Sequence, residues 1–311
     1  MIRRLAAALL LALLAGCSAV EFAYNNADTW LRWQAGSYLD LKNTQAEEFN
    51  ARLGSFLAWH RSQALPQYAR LAQDAGLRLE RGATLQDLVW GYDAIRQQSR
   101  EGLRRAGVEL GDLLDRLSSA QIEHLERRFA ENNRKYAREW LEGTPEERRG
   151  RRYQRLVHAL EDWLGELSDA QRERVRQFND GAPLNGELRD RERRRRQAEL
   201  LAMLRARESA RRYNERAPFS AELRDRDRKR RQAEFVAMLR AREAARRLAR
   251  WAQDWEAGRE PAYVEAARAT HAEYVELLLD LDRTLSAEQR AHAVARLRRY
   301  GALFDSLARA Q

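Results

Sequence analysis

Apolar residues recur every three or four positions over most of this chain, a spacing typical of amphipathic helices. Three such stripes are Phe49, Leu53, Phe56 and Leu57, then Tyr274, Leu277, Leu278 and Leu281, then Val294, Leu297, Phe304 and Leu307. We expect these stripes to form a hydrophobic core rather than a cofactor-binding site. The pattern predicts helices over residues 26–40, 44–63, 66–81, 84–105, 118–141, 145–165, 169–179, 261–283 and 286–309, with a further helical stretch between 181 and 257.

A short motif, Leu-Ser-x-x-Gln, recurs where three of these helices begin. Its copies are Leu117-Ser-Ser-Ala-Gln121, Leu167-Ser-Asp-Ala-Gln171 and Leu285-Ser-Ala-Glu-Gln289. A serine at the N-cap accepts from the amide three residues on, and the glutamine there reaches back, which makes a capping box. Ile122 also allows Leu117 to form a hydrophobic staple, whereas arginines hold that position in the other two copies.

Further helix starts follow the same capping logic. Leu41-Lys-Asn-Thr-Gln45 is a degenerate copy of the motif, and there we expect a displaced capping box formed by Thr44 and Glu47. Thr84 with Asp87 predicts another start, as does Thr144-Pro145-Glu146-Glu147.

Composition agrees with an almost entirely helical chain. Among 311 residues there are five prolines and 16 glycines, while Ala, Leu, Arg and Glu dominate. The predicted fold class is therefore all-α, a helical bundle with a long, polar, Arg-rich helical arm.

The arm is an internal duplication. The segment that starts at Glu187 recurs from Glu222, with a constant offset that also relates Gln197 to Gln232. Because the stretch 189–196 has no apolar residue, we expect a solvated, ion-paired helix. The predicted division is a signal peptide (1–16), a helical domain (17–180), the duplicated arm (181–257) and C-terminal helices that pack on the bundle (258–311).

Positive charge is concentrated in that arm. Residues 181–250 hold 22 Arg and Lys against 11 Asp and Glu, although the whole chain carries a net charge of +10. Two interpretations stay open. The arm is a soluble spacer, or it contacts phosphate groups of anionic lipid or lipopolysaccharide or an acidic partner. Nucleic acid is not expected as a partner, since no nucleic-acid module is present.

The N-terminus predicts export. Arg3 and Arg4 precede an apolar run from Leu5 to Leu14 that is too short to span a bilayer. Leu14-Ala15-Gly16-Cys17 then resembles the lipobox of bacterial lipoproteins. That resemblance implies cleavage between Gly16 and Cys17 and lipidation of Cys17. Because Ser18 follows, it also implies that the protein is anchored in the inner leaflet of the outer membrane of a Gram-negative bacterium and faces the periplasm.

Aromatic, histidine, arginine and proline residues are most densely grouped at Trp59-His60-Arg61, followed by Pro66 and Tyr68. One interpretation is a binding surface formed by Trp59, His60, Arg61 and Tyr68 beside a proline bend. The other, which we favour, places the aromatic rings in the core and uses His60 and Arg61 to tie helix ends together.

Sites for enzyme chemistry are not expected. Cys17 is the only cysteine, and the five histidines are not spaced as metal ligands, so we predict no metal and no cofactor. Nucleophile-elbow, phosphate-loop and dinucleotide motifs are also missing. We therefore do not expect an enzyme, and an envelope hydrolase is kept only as a competing hypothesis without a motif.

Two resemblances bear on function. The repeated Leu-Ser-x-x-Gln motif is similar to that of the Spy/CpxP group of helical periplasmic chaperones and envelope-stress modulators. The chain more closely resembles an uncharacterised family of proteobacterial lipoproteins, which implies location but no activity. That second resemblance rests on Tyr24-Asn25-Asn26, Trp30-Leu31-Arg32-Trp33, Tyr38 to Leu41, Gln45, Trp59-His60-Arg61, Leu65-Pro66-Gln67-Tyr68, Trp163 to Ser168 and Gln171.

Two non-catalytic functions follow as hypotheses. The first is a chaperone-like or stress-related protein that binds a protein client and is held at the membrane by its N-terminal lipid. The second is a structural tether whose basic arm contacts anionic envelope components.

Overall fold

The computed structural model of this chain describes residues 20–216 and 258–310, and every regular element in these two ranges is helical. The all-α fold class is thereby confirmed. Gly16, Cys17 and the second copy of the duplication lie outside the described residues. Helical turns over 20–25 lead into α1 (Ala27–Leu39), α2 (Asn43–Trp59), α3 (Leu65–Glu80), α4 (Leu85–Asp115), α5 (Ser119–Tyr136), α6 (Pro145–Leu164), α7 (Asp169–Gly181), α8 (Gly186–Arg216), α9 (Pro261–Thr284) and α10 (Ala287–Arg309).

The predicted capping boxes form and set where these helices begin. Ser118, Ser168 and Ser286 accept from the amides of Gln121, Gln171 and Gln289 at 3.3, 3.3 and 3.1 Å. Thr84 and Thr144 do the same for α4 and α6. Each cap satisfies a backbone donor that the helix itself leaves without a partner.

The expected break between residues 63 and 66 is wrong. A π-helical turn, His60–Ala64, joins α2 to α3, so that one rod runs from residue 43 to 80, about 57 Å at 1.5 Å per residue. The amide of Leu65 bonds to the carbonyl of His60 across the wider turn. Pro66 then falls in the first turn of α3, where its missing donor costs little, and the rod continues past it.

Helix α4 is longer than predicted. It continues beyond residue 105 to Asp115 because its last two turns carry apolar side chains that have a place in the core. Leu113 is fully buried against Phe49 and Leu53 of α2, and Leu110 packs beside them.

Several small apolar clusters, rather than one large one, make up the core. One joins α6, α7 and α9 through Val157, Val175 and Leu277. Elsewhere α10 runs antiparallel along α3, as its contacts show. Arg61 reaches the carbonyl of Ala310, while Glu80 at the other end of α3 pairs with Arg298. Gly301 allows a close approach at this contact, since a Cβ there would lie 3.1 Å from the Cγ of Gln73 and 3.4 Å from the carbonyl oxygen of Ala69.

The first copy of the duplication lies in α8 and is not solvated throughout. Leu201 and Leu204 are buried against α5, and Asp190, Glu192 and Arg196 are also buried. The expectation of a fully solvated stretch is wrong at these three charged positions because each has compensating partners. Asp190 and Glu192 pair with the arginines that follow them, and Arg196 pairs with Glu199.

Candidate functional site

The glutamines of the capping motifs meet in pairs. In the first clasp, Gln45 at the start of α2 faces Gln121 at the start of α5, and the Nε2 of Gln121 donates to the Oε1 of Gln45 at 2.8 Å. The same Nε2 lies 3.1 and 3.0 Å from the carbonyl oxygens of Leu39 and Asp40, where α1 ends. Gln45 in turn reaches the carbonyl of Arg116, 3.5 Å away, at the end of α4.

The second clasp repeats this arrangement with different helices. Gln171 at the start of α7 and Gln289 at the start of α10 exchange hydrogen bonds of 3.0 Å in both directions. Gln171 also donates to the carbonyl of Thr284, which ends α9, and Gln289 to the carbonyl of Glu166, just after α6. Each clasp therefore ties together the turns of two helical hairpins.

Each clasp explains why the motif ends in glutamine. The Oε1 atom accepts from the N-cap amide of its own helix, at 2.9 to 3.1 Å in the four cases. The Nε2 atom simultaneously donates to a backbone carbonyl at the end of the helix that leads into the opposing turn. A carboxylate supplies only acceptors, so glutamate can cap its own helix but cannot serve the second role. Gln121 and Gln171 are each 2% exposed, which makes both roles obligatory.

The degenerate motif keeps the register of the others. Lys42, not Thr44, is the N-cap of α2, and Gln45 occupies the same third helical position as the other three glutamines. The displaced capping box expected from Thr44 and Glu47 is therefore wrong. Gln45 is held in this register because its amide forms the first clasp with Gln121.

The Trp-His-Arg group lies at the junction of three chain segments. His60 begins the π turn, and its Nδ1 atom lies 3.0 Å from the hydroxyl of Tyr24. The Tyr68 ring packs edge-on against His60, and Arg61 donates to the carbonyl of Ala310 at 2.7 Å. Trp59, the remaining member, packs its ring beside that of His60.

These four predicted site residues are thus brought together, and all four are half-buried. Burial lowers the pKa of His60, so its neutral form is favoured in the folded protein. The contacts tie the N-terminal turns and the end of α10 to the α2–α3 rod. A structural role accounts for every one of these contacts, and ligand binding by the group stays a prediction.

A surface that the sequence reasoning missed lies on α4. Five apolar side chains of this helix are 43 to 66% exposed, although they fall on one face at 100° per residue. We name them the α4 stripe: Leu85, Val89, Tyr92, Ile95 and Leu103.

The opposite face of α4 has few side chains that could pack against other helices. It carries small or polar residues, among them Ala94 and Gln98, and a methyl group added at Gly91 or Gly102 would touch nothing within 4 Å. Tyr92 of the stripe packs on the His271 ring of α9, with 3.9 Å between ring centroids. The spacing 85, 89, 92, 95 is a helical apolar pattern, so periodicity signals the stripe but not its exposure.

The charged face of α8 is largely paired within the protein. Arg193 and Arg194 both contact Asp190, at 2.5 and 2.7 Å, and Arg195 contacts Glu192 at 2.9 Å. Arg191 pairs with Glu260 across to the start of α9. These arginines are therefore compensated within the protein, and the described copy of the duplication presents less free positive charge than its composition suggests.

No group of three or more potential metal ligands occurs in residues 20–216 and 258–310. Within the same ranges, no helix is both long and apolar enough to cross a membrane.

The fold and the clasps define an all-α protein built from paired helical hairpins. A model of a family of unknown function, DUF6279, matches residues 37–219, more than half of the chain, and the chain belongs to that family. The match includes the whole first clasp, whereas Gln289 of the second clasp lies beyond it. Neither curated proteins nor solved structures give a match to this chain.

Proposed function

We propose that this protein is a lipid-anchored periplasmic lipoprotein that binds apolar segments of partly unfolded proteins and catalyses no reaction. The observation that carries the proposal is the α4 stripe. Contiguous exposed apolar surface on a protein typically marks an interaction site. From Leu85 to Ile95 the stripe extends about 15 Å, long enough for about four or five residues of an extended chain, and Leu103 lies about two turns further along the helix, past Ser99.

An unfolded segment is the occupant that this surface fits best. Among the described residues the stripe is a helix face with few neighbours, so a client can lie along it without displacing the described helices. Its mixture of aliphatic and aromatic side chains offers non-directional apolar contact, which tolerates many client sequences. The resemblance of the capping motifs to those of the Spy/CpxP group agrees with this role.

The N-terminal turns support the membrane anchor. Phe22, Trp30 and Trp33 are 71, 57 and 64% exposed and follow closely after Cys17. At 100° per residue Trp30 and Trp33 lie about 60° apart on α1, and Phe22 precedes them in the turns before Asn26. Aromatic side chains on one face are typical of the boundary between water and lipid headgroups. We infer that this face rests on the membrane to which the lipid on Cys17 holds the chain.

The tethering hypothesis has less support. It requires free positive charge on the arm, and the arginines of the described copy that face Asp190, Glu192 and Glu260 are already paired. Tethering through the second copy stays a prediction.

A refolding assay tests the proposal. The full mature protein, held in neutral phosphatidylcholine vesicles, is added while a denatured enzyme is diluted into buffer, and the recovered enzyme activity is measured. We expect higher recovery than with empty vesicles. We also expect the gain to disappear in a Val89→Gln/Ile95→Gln variant.

The matched control is Val108→Gln. Val108 is 57% exposed on the same helix, but at 100° per residue it lies about 140° around from Leu103. Protection should survive this change. Equal recovery with the protein and with empty vesicles, or full protection by the stripe variant, would contradict the proposal.

A further inference from the structure

A second surface, unrelated to the α4 stripe, lies where α5, α6 and α8 converge. The π turn Ala137–Leu141, the N-terminal half of α6 and the start of α8 enclose a cleft of about 630 Å³. We name it the arginine cleft because six arginines face it: Arg148, Arg149, Arg151, Arg152, Arg155 and Arg189.

The acidic side chains of the cleft do not balance this charge. Three carboxylates face the same space, those of Glu139, Asp180 and Glu187. Glu187 is taken up by an ion pair of 2.8 Å with Arg148, and Glu139 lies 3.7 Å from the ammonium group of Lys135. Arg149 pairs with Glu146. The remaining arginines leave the cleft with a surplus of positive charge, in contrast to the face of α8 that carries Arg191 and Arg193 to Arg195.

Two guanidinium groups at the cleft form no hydrogen bond or ion pair with the described residues. Arg155 stacks over the Trp140 ring, with 3.8 Å from its Cζ to the ring centroid. Neither Arg155 nor Arg189 forms a side-chain hydrogen bond or ion pair with another described residue. Stacking fixes the plane of the Arg155 guanidinium while leaving its N–H groups open to a ligand.

A third arginine is held in place by a buried amide. The Nε of Arg152 donates to the Oδ1 of Asn179 at 2.8 Å, and Asn179 is only 2% exposed. Asn179 also donates to the carbonyl of Arg149, which fixes its own orientation. Burial lowers the pKa of Arg152, and the nearby Asp180 carboxylate opposes this shift.

We propose that the arginine cleft binds a phosphate monoester group. Several planar guanidinium forks converging on one space match the oxygen atoms of a phosphate dianion, which they contact in bidentate fashion. A single carboxylate would leave most of the surplus charge uncompensated. The volume leaves room for the sugar or glycerol part of such a compound next to the Trp140 ring.

Calorimetry on the full chain in a neutral detergent tests this site. Glycerol 3-phosphate represents a free phosphate compound and short-chain phosphatidic acid a lipid headgroup. Short-chain phosphatidylglycerol, a phosphodiester, is the chemical control. We expect saturable binding of at least one monoester, with an affinity at least about tenfold above that for phosphatidylglycerol. Whichever monoester binds more tightly identifies the source of the phosphate.

The matched variants separate a built cleft from general positive charge. Arg155→Ala/Arg189→Ala should weaken monoester binding by about tenfold or more. Arg70→Ala, an exposed arginine of α3, should leave it unchanged. Circular dichroism confirms that each variant is folded. Failure of both monoesters to bind, or equal weakening by the Arg70 change, would overturn the proposal.

Discussion

The clasps and the α4 stripe use polar and apolar side chains in opposite ways. At the clasps, amide groups are removed from water and every nitrogen and oxygen of the glutamine side chains has a partner. On the stripe, apolar side chains remain in water although their spacing would suit a core. The clasps thus satisfy their buried polar atoms, whereas the stripe leaves apolar surface in water.

This difference separates structural motifs from the candidate binding surface. The repeated motif, which is the most conspicuous feature of the sequence, fixes how hairpins join. The stripe breaks the ordinary relation between apolar pattern and burial, and such local departures are where function is expected. Stability measurements should therefore respond to the clasps, and binding measurements to the stripe.

The largest effect on stability is expected from Gln121→Glu. The change removes the Nε2 donor and sets a carboxylate against the carbonyl oxygens of Leu39 and Asp40. The free energy of unfolding should fall by about 3 kcal/mol. Urea denaturation followed by circular dichroism measures it. Gln67→Glu, at an exposed position of α3, is the control and should change stability by less than about 0.5 kcal/mol. Equal stability of the two variants would contradict a stabilising role for the first clasp.

Acid should weaken the anchoring of α4 through Asp87. This carboxylate accepts from the Thr84 amide and hydroxyl and from Arg78 and Arg81, which together hold its pKa far below the ordinary 3.8. Because the pKa is depressed in the folded state, the stabilisation is present above pH 3.8 and is lost as the pH falls below it.

Asp87→Asn tests this directly. The variant should be less stable than the natural protein at pH 6, with the difference shrinking toward pH 2. Urea midpoints across that range measure it. A constant difference would show that the charge on Asp87 is not what holds the start of α4.

A smaller dependence on pH is expected from His60. Burial depresses its pKa below 6.5, so the folded protein holds the neutral ring while the unfolded chain binds a proton more readily. Stability should therefore decrease as the pH falls through 6.5. His60→Phe should flatten this part of the profile without reducing client protection. Loss of protection in that variant would instead favour the binding-surface interpretation of the Trp-His-Arg group.

The smallest effect on stability is expected from the stripe itself. Val89→Gln/Ile95→Gln replaces exposed side chains and should change the free energy of unfolding by less than about 0.5 kcal/mol. Thermal unfolding measures it. A loss comparable to that of Gln121→Glu would mean that the stripe is part of the core.

Much of the helical framework was predictable because its signals are local. Caps such as Ser118 and Thr84 act within one turn, and apolar periodicity reports the faces of α2, α9 and α10. The exceptions also have local causes. The π turn before Pro66 turns a predicted break into a continuous rod, and no periodicity rule anticipates the extra residue.

The candidate sites depend on distant parts of the chain and were not predictable in the same way. A glutamine at the third helical position predicts a cap, but its pairing with Gln121 or Gln289 requires the tertiary fold. The same holds for Glu192, which is buried where it also accepts from the backbone amide of Glu260, just before α9. The exposure of Ile95 likewise depends on which helices pack elsewhere.

The most direct test of the proposed binding role is site-specific photocrosslinking in living cells. A photoreactive amino acid is placed at Val89 or Ile95 on the stripe, or at Val108 as the control, and the envelope proteins are stressed with heat before illumination. We predict crosslinks to many unfolded envelope proteins from residues 89 and 95, and few from residue 108. Equal crosslinking from all three positions, or none from the stripe, would contradict the role of α4 in binding.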